Sequence, residues 1–293
     1  MSFRGIQANR PTGGAESPRR VSGFPRTMET TRISRASRSA PRHALRAWPE
    51  IEQRLGGPGT RALFLDFDGT LAPLRPRPRE VRCPARVKRL LKRLAQRRDL
   101  RVCVISGRRS HNLQELIGVA GIQYLGAYGA ESDNCPPALS FRARQALTKA
   151  KGDLTAQLRS VPGIWVEDKG LGVAVHCRAA RSPEVLRAAQ VLRRALARAR
   201  GALRLIAGAK VWEVVPRELA GKGAAVRAAM NKLPPGTPAV YVGDDVADEA
   251  AFAALACGIT VRVGSPLKTR ARYFLRSPAE VVQFLARFEE GLE

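Results

Sequence analysis

The sequence predicts an α/β protein in which a doubly wound, mostly parallel sheet is interrupted by an inserted αββαββ cap domain. Three observations predict it. Short apolar runs alternate with amphipathic helices over 61–130 and again from about 217, a rhythm that implies right-handed crossovers between parallel strands. Between these stretches the order becomes helix, hairpin, helix, hairpin. Polar residues also recur just beyond the apolar runs, at the carboxyl ends of strands where ligands of such sheets bind.

The first 48 residues hold ten Arg, no Lys and two Glu, Glu16 and Glu29, among Ser, Pro, Gly and Thr. Neither a two-residue nor a 3.6-residue period is visible, which predicts a disordered basic tail, with its boundary at residue 56. Such a start also resembles an organelle transit peptide, and translation from Met28 is a third reading. Regular elements begin at Ala62–Leu65, a buried-strand pattern. A helix follows over 85–98, with Val87, Leu90, Leu91 and Leu94 on one stripe. Val102–Ile105 is the next strand, then a helix around 110–117 and a strand at Ile122–Leu125. This first part of the core is expected over 57–138.

The cap is expected over 139–212. It opens with a helix over about 141–159, then the strands Ile164–Glu167 and Gly172–His176, which turn near Lys169-Gly170. Ser182-Pro183-Glu184 reads as a helix start, with Ser as cap and Pro in the first turn. The hairpin Arg204–Ala207 and Lys210–Val215 completes it, its tight turn demanding antiparallel pairing. The second part of the core, 213–293, has a helix after Gly221-Lys222-Gly223, a strand at Ala239–Val242 and a helix opened by Gly243-Asp244-Asp245. A strand at Ile259–Val263 and a closing helix near 278–288 end the chain.

Composition narrows the function. Of 293 residues, 44% are hydrophobic and 26% charged, ordinary for a globular protein. No run approaches the roughly 20 apolar residues of a membrane span, so no membrane partner is expected. Five cysteines, odd in number and without CxxC spacing, argue against a disulfide framework or zinc site and for a reducing cytoplasm. A formal charge of +26 raises nucleic-acid binding. Much of it, however, is Arg and Lys spread over helix faces, as at Arg86, Lys88, Arg89, Lys92 and Arg93. With aromatics at 5%, no base-stacking platform is apparent. No specific nucleic acid is expected, only weak polyanion binding at low salt.

The most informative stretch is Leu63-Phe64-Leu65-Asp66-Phe67-Asp68-Gly69-Thr70. Two carboxylates flank one Phe where a strand gives way to a Gly turn. Paired carboxylates there suit a hard cation such as Mg²⁺ and a reaction needing both a nucleophile and an acid/base. Taken alone, Asp and Gly are also ordinary turn formers. Three further pieces fall at strand ends in order: Ser106-Gly107-Arg108, Lys222, and Asp244, Asp245 and Asp248.

Together these four segments resemble the haloacid dehalogenase (HAD) superfamily of phosphatases, over about 61–290. The resemblance implies Asp66 as nucleophile and Asp68 as general acid/base. It implies Mg²⁺ as cofactor, held by Asp66, Asp68 through its backbone carbonyl, and Asp244, with Asp245 and Asp248 orienting that shell. Ser106, Gly107 and Lys222 would hold the phosphoryl oxygens. The ordinary alternatives are a capping Ser, a solvated Lys and an acidic helix start.

The cap carries Glu167-Asp168-Lys169-Gly170, His176-Cys177-Arg178 and Gly208-Ala209-Lys210-Val211-Trp212-Glu213-Val214-Val215-Pro216. These resemble the signatures of the trehalose-6-phosphate phosphatase family, whose members release trehalose and phosphate in trehalose biosynthesis. The resemblance makes Glu167, Lys169, His176, Arg178, Lys210 and Glu213 substrate contacts, joined by Arg108 and Glu131 from the core. A sibling activity on sucrose 6-phosphate, a glucosyl- or mannosyl-phosphoglycerate or another phosphosugar stays open, and so does a non-catalytic phosphosugar sensor. Either way the implied partner is a small phosphosugar. On the residues alone, His176 is equally a packing histidine, and Glu167 and Lys169 could pair across their own turn. Lys210 and Glu213, an odd number of residues apart, would point oppositely on a regular strand. Three positions depart from the family's pattern: Tyr128 where His is common, Cys177 where an aromatic is common, and Ala247 where Thr is common.

Overall fold

Residues 40–57, 59–75, 77–132, 137–208 and 210–291 are described by the structure, a computed structural model. Strand β1 (Arg42–His43) and helix α1 (Trp48–Leu55) come first. Both fall within the stretch assigned by sequence to the tail, which is therefore corrected; its residues 1–39 lie outside the described residues. The cause is hydrophobic. Trp48, Ile51 and Leu55 share one buried helical stripe, and Trp48 meets Phe284 edge-on at 5.6 Å between ring centroids.

The core continues with β2 (Arg61–Leu65), α2 (Ala85–Gln96), β3 (Leu100–Ile105), α3 (Ser110–Ile117), β4 (Gln123–Gly126) and the short β5 (Glu131–Ser132). Next come α4 (Phe141–Leu158), the hairpin β6 (Trp165–Asp168) and β7 (Val173–His176), α5 (Ser182–Arg198) and the hairpin β8 (Leu203–Gly208) and β9 (Val211–Pro216). The chain then returns through α6 (Lys222–Met230), β10 (Ala239–Gly243), α7 (Glu249–Ala254), β11 (Ile259–Val263), β12 (Tyr273–Leu275) and α8 (Pro278–Glu290).

The eight-stranded sheet runs β1-β12-β11-β10-β2-β3-β4-β5, parallel except for the β4–β5 pair. Alternation along its central strands feeds two cores. Leu63, Leu65, Val240 and Val242 face the α1, α2, α3 and α8 side, whereas Ala62, Phe64, Ala239 and Tyr241 face α6 and α7. Strand order reverses between β2 and β10, which creates the crevice where doubly wound sheets bind ligands.

The inserted sheet, β6-β7-β9-β8, is antiparallel throughout. Its pairing continues to Pro216, opposite Leu203, so the hairpin carries the insertion past the expected boundary at 212. Helix α5 also differs in detail. Arg181 occupies its N-cap and Ser182 is already helical, making no capping bond, while Pro183 does sit in the first turn. Register decides what this sheet presents. Val173, Val175 and Val214 pack under α4 and α5 with Leu154 and Leu192. Glu167 and Glu213 both pair with Ala174, and Trp165 and Val211 with His176. By period two, Glu167, His176 and Glu213 therefore share the face turned away from those helices.

Candidate active site

Strand β2 ends at Leu65, and Asp66 is its continuation into a turn. The amides of Thr70, Leu71 and Ala72 all donate to the Phe67 carbonyl, while the Phe67 ring is buried in the core. Gly69 makes the turn possible. Its φ is 84°, and a Cβ there would lie 2.2 Å from Asp244 Oδ2. The side-by-side carboxyl ends of the parallel strands β2 and β10 thus bring Asp66, Asp68 and Asp244 to one crevice.

Lys222, the first residue of α6, is buried and reaches back to this point. Its Nζ donates to Asp66 Oδ1 at 2.6 Å and to Asp248 Oδ1 at 2.7 Å. Asp248 Oδ1 also accepts from the Tyr241 hydroxyl at 2.7 Å, and Oδ2 accepts from the Asp245 amide at 2.8 Å. Burial works to lower the Lys222 pKa, but the charges of Asp248 and Asp66 win and hold it well above the ordinary value. Burial pushes the Asp66 carboxyl up to about 7 against the pull of Lys222. Asp244 is raised as well, by burial and then by the charges of Asp66 and Asp248.

Carboxylate oxygens of Asp66, Asp244 and Asp248 lie within 4.8 Å of one another. An all-oxygen donor set of this kind fits a hard divalent cation such as Mg²⁺. Asp248 has both oxygens engaged, by Lys222 and Tyr241 on Oδ1 and by the Asp245 amide on Oδ2. The Asp245 side chain accepts from the Val246 amide and closes a capping box with Asp248.

Ser106 and Gly107 follow β3. The Ser106 hydroxyl is buried and accepts from the Arg108 amide at 3.2 Å. Arg108, expected to grip sugar, lines the crevice but has its guanidinium engaged elsewhere. Nε and Nη2 clamp the two Asp68 oxygens at 2.7 Å each, and Nη2 also reaches the Pro78 carbonyl at 3.0 Å. Glu131, also expected to contact the sugar, is not among the residues that line the cavity. It is 1% exposed and lies beneath the wall, bonded to Arg109 and to the Ser110 amide. It braces Arg109, which does line the crevice.

The cap residues close over a cavity of about 500 Å³, inside the roughly 300–1,000 Å³ typical of ligand sites. Glu167, Lys169, His176, Arg178, Lys210 and Glu213 all line it. His176 Nε2 meets Glu167 Oε2 at 2.9 Å and its ring stacks on Trp165. Lys169 pairs with Glu213 at 2.7 Å rather than across its own turn. Lys210 escapes strand alternation because it sits in the hairpin turn with φ of 63°, so it and Glu213 border the same cavity. Burial opposes ionisation of Glu167, yet the His176 bond and the Lys169 charge leave its carboxyl below the ordinary value. Glu213 goes the other way: burial, then the Asp245 charge, pushes it up to about 8. The Lys222 charge opposes that push, while burial lowers the pKa of Lys169, which pairs with Glu213.

Sequence reasoning missed Arg75, Arg109, His111 and Asn112 on the cavity wall; flanking the matched segments, they carry no pattern of their own. Tyr241 had a signal. A phenol inside the apolar run Ala239–Gly243 must find a partner when buried, and it finds Asp248.

Comparison with known proteins agrees with this geometry. A family model described as trehalose-phosphatase matches residues 64–278. The trehalose-phosphate phosphatase of Mycobacterium ulcerans is 32% identical over 275 residues, spanning 87% of this chain and 69% of that protein. Among solved structures, the C-terminal domain of the C. albicans trehalose-6-phosphate phosphatase superposes with a TM-score of 0.73 at 20% identity, covering 87% of this chain and 99% of that one. A haloacid dehalogenase-like hydrolase from Bacteroides thetaiotaomicron gives 0.56 at 15% identity, covering 78% and 99%. Both structural likenesses speak for the fold.

Proposed function

The chain belongs to the trehalose-phosphatase family, and from that premise we propose that it hydrolyses trehalose 6-phosphate to trehalose and phosphate. Asp66 attacks phosphorus and the bond from phosphorus to the sugar oxygen breaks, leaving an aspartyl-phosphate. Asp68 gives its proton to the departing oxygen and then takes one from the water that attacks the phosphoryl group, which frees Asp66. Arg108 fixes where the Asp68 carboxyl sits. Ser106, Gly107 and Lys222 hold phosphoryl oxygens, Lys222 as a buried point charge. Asp66, the Asp68 backbone carbonyl and Asp244 would hold Mg²⁺, which when bound neutralises charge on the phosphoryl group. The insertion acts as the cap that reads the sugar, through Glu167, Lys169, His176, Arg178, Lys210 and Glu213.

The observation that supports this most is the meeting of distant segments: Lys222 Nζ lies 2.6 Å from Asp66 Oδ1, with Asp248 completing the buried triad. Three substrates test it, namely trehalose 6-phosphate, sucrose 6-phosphate and glucose 6-phosphate, followed by phosphate release. Preference for the first is expected; equal kcat/KM on all three would defeat the trehalose assignment.

Glu213→Ala is expected to cut kcat/KM for trehalose 6-phosphate about a hundredfold more than for a small aryl phosphate, because a site built to bond hydroxyls loses its acceptor. Equal losses on both substrates would remove Glu213 from sugar recognition. Cation binding should also depend on pH. Asp66 and Asp244 both hold protons above the usual carboxylate range, so a cation must displace protons at low pH. Mg²⁺ affinity measured by calorimetry should rise between about pH 6 and about pH 8. A flat profile would show that these two carboxylates are not the ligands.

A further inference from the structure

Glu213 is held from two sides. Lys169 donates to Oε1 at 2.7 Å, and the Tyr128 hydroxyl donates to Oε2. Lys169 belongs to the cap, as Glu213 does. Tyr128 does not: it stands in the 3₁₀ turn Ala127–Gly129 that follows β4 in the core. Its backbone occupies the left-handed region with φ of 62°, an uncommon place for a bulky residue. The Tyr128 amide donates to the Ser106 carbonyl at 2.8 Å. Its ring covers Gly107 so closely that a Cβ there would lie 3.0 Å from the ring carbon Cζ. One buried side chain therefore touches both the Ser106–Gly107 turn and the cap carboxylate.

We propose that Tyr128 is a positioning residue for sugar recognition, fixing the Glu213 carboxylate at a set distance from the phosphoryl-binding turn. The proposal rests on the functional reading above. Each carboxylate oxygen can accept two hydrogen bonds. In the ionised carboxylate, with Lys169 on one oxygen and Tyr128 on the other, each keeps a lone pair for a sugar hydroxyl. Without the phenol, the carboxylate is tied only to Lys169 and loses its fixed relation to the core. No bond is made or broken at Tyr128 itself. Phenylalanine is the discriminating replacement, because it keeps the ring over Gly107 and removes only the donor.

The test is steady-state kinetics of the full chain with Mg²⁺, on trehalose 6-phosphate and on p-nitrophenyl phosphate. Wild type, Tyr128→Phe, Glu213→Ala and the double variant are compared. Tyr128→Phe should lower the ratio of kcat/KM between the two substrates about tenfold, mainly through KM, the size of one hydrogen bond to a charged group. In the Glu213→Ala background it should lower that ratio no further. Equal losses on both substrates, an unchanged ratio, or additive effects in the double variant would each overturn the proposal. Wild-type protein that cleaves the aryl phosphate but not trehalose 6-phosphate would instead defeat the functional reading, before any variant is made.

Discussion

Asp66→Asn should lower kcat on trehalose 6-phosphate by about four orders of magnitude or more, because the nucleophile is lost while its surroundings stay in place. Asparagine is nearly isosteric, and its amide oxygen can still accept from Lys222. Lys222 keeps its second partner, Asp248, at 2.7 Å, so the buried cation is not stranded. The contacts of Ser106, Gly107, Lys222 and the cap residues are untouched, and with Mg²⁺ saturating, substrate binding measured by calorimetry should change little. The thermal midpoint should hold as well, since the carboxyl that is removed is one that burial already pushes up to about 7. Activity retained within about tenfold would mean that the nucleophile is another group.

The second large effect is expected at Lys222→Met. The ammonium is 3% exposed and lies between Asp66 and Asp248. Removing it leaves two buried carboxyls facing each other without a cation, a change that typically costs about 3–5 kcal/mol. Denaturant unfolding should show that loss near pH 8, and kcat should fall at least about a hundredfold from the missing phosphoryl contact. The sign with pH follows from the shifts. The Lys222 pKa is raised in the fold, so its stabilisation is fully present at neutral pH and would vanish only above its folded pKa. In the variant, lowering the pH protonates Asp66, whose pKa burial raises, and relieves the repulsion. The stability deficit should therefore shrink towards about pH 5. A deficit that grew on acidification would contradict the pairing.

The sequence was most legible where one physical rule acted alone. Apolar runs predicted the core strands because both faces of the sheet are covered, and Val87, Leu90, Leu91 and Leu94 predicted α2 because one stripe faces the core. The cap signatures were legible as a set, since Glu167, His176 and Glu213 alternate onto one sheet face. What escaped was set by tertiary context. Helix α1 carries a buried stripe, but it lies at the end of an arginine-rich segment whose charge hides the period. Arg108, read as a sugar contact, also clamps Asp68 at the cavity wall, and Glu131 braces Arg109 beneath that wall. Pairings between residues 22 and 40 positions apart leave no trace in local spacing. Lys210 looked wrongly placed only because the strand was drawn one residue too early; the turn at 210 removes the conflict.

In the proposed function Asp66, Asp68, Lys222 and Asp244 form one phosphoryl-transfer centre beneath a cap that reads trehalose. Its most direct test is to incubate the full chain with trehalose 6-phosphate and Mg²⁺ and to quantify both products, with an EDTA control. Equal amounts of trehalose and phosphate are expected, and loss of both with EDTA. Unchanged release in EDTA, or phosphate without matching trehalose, would contradict it.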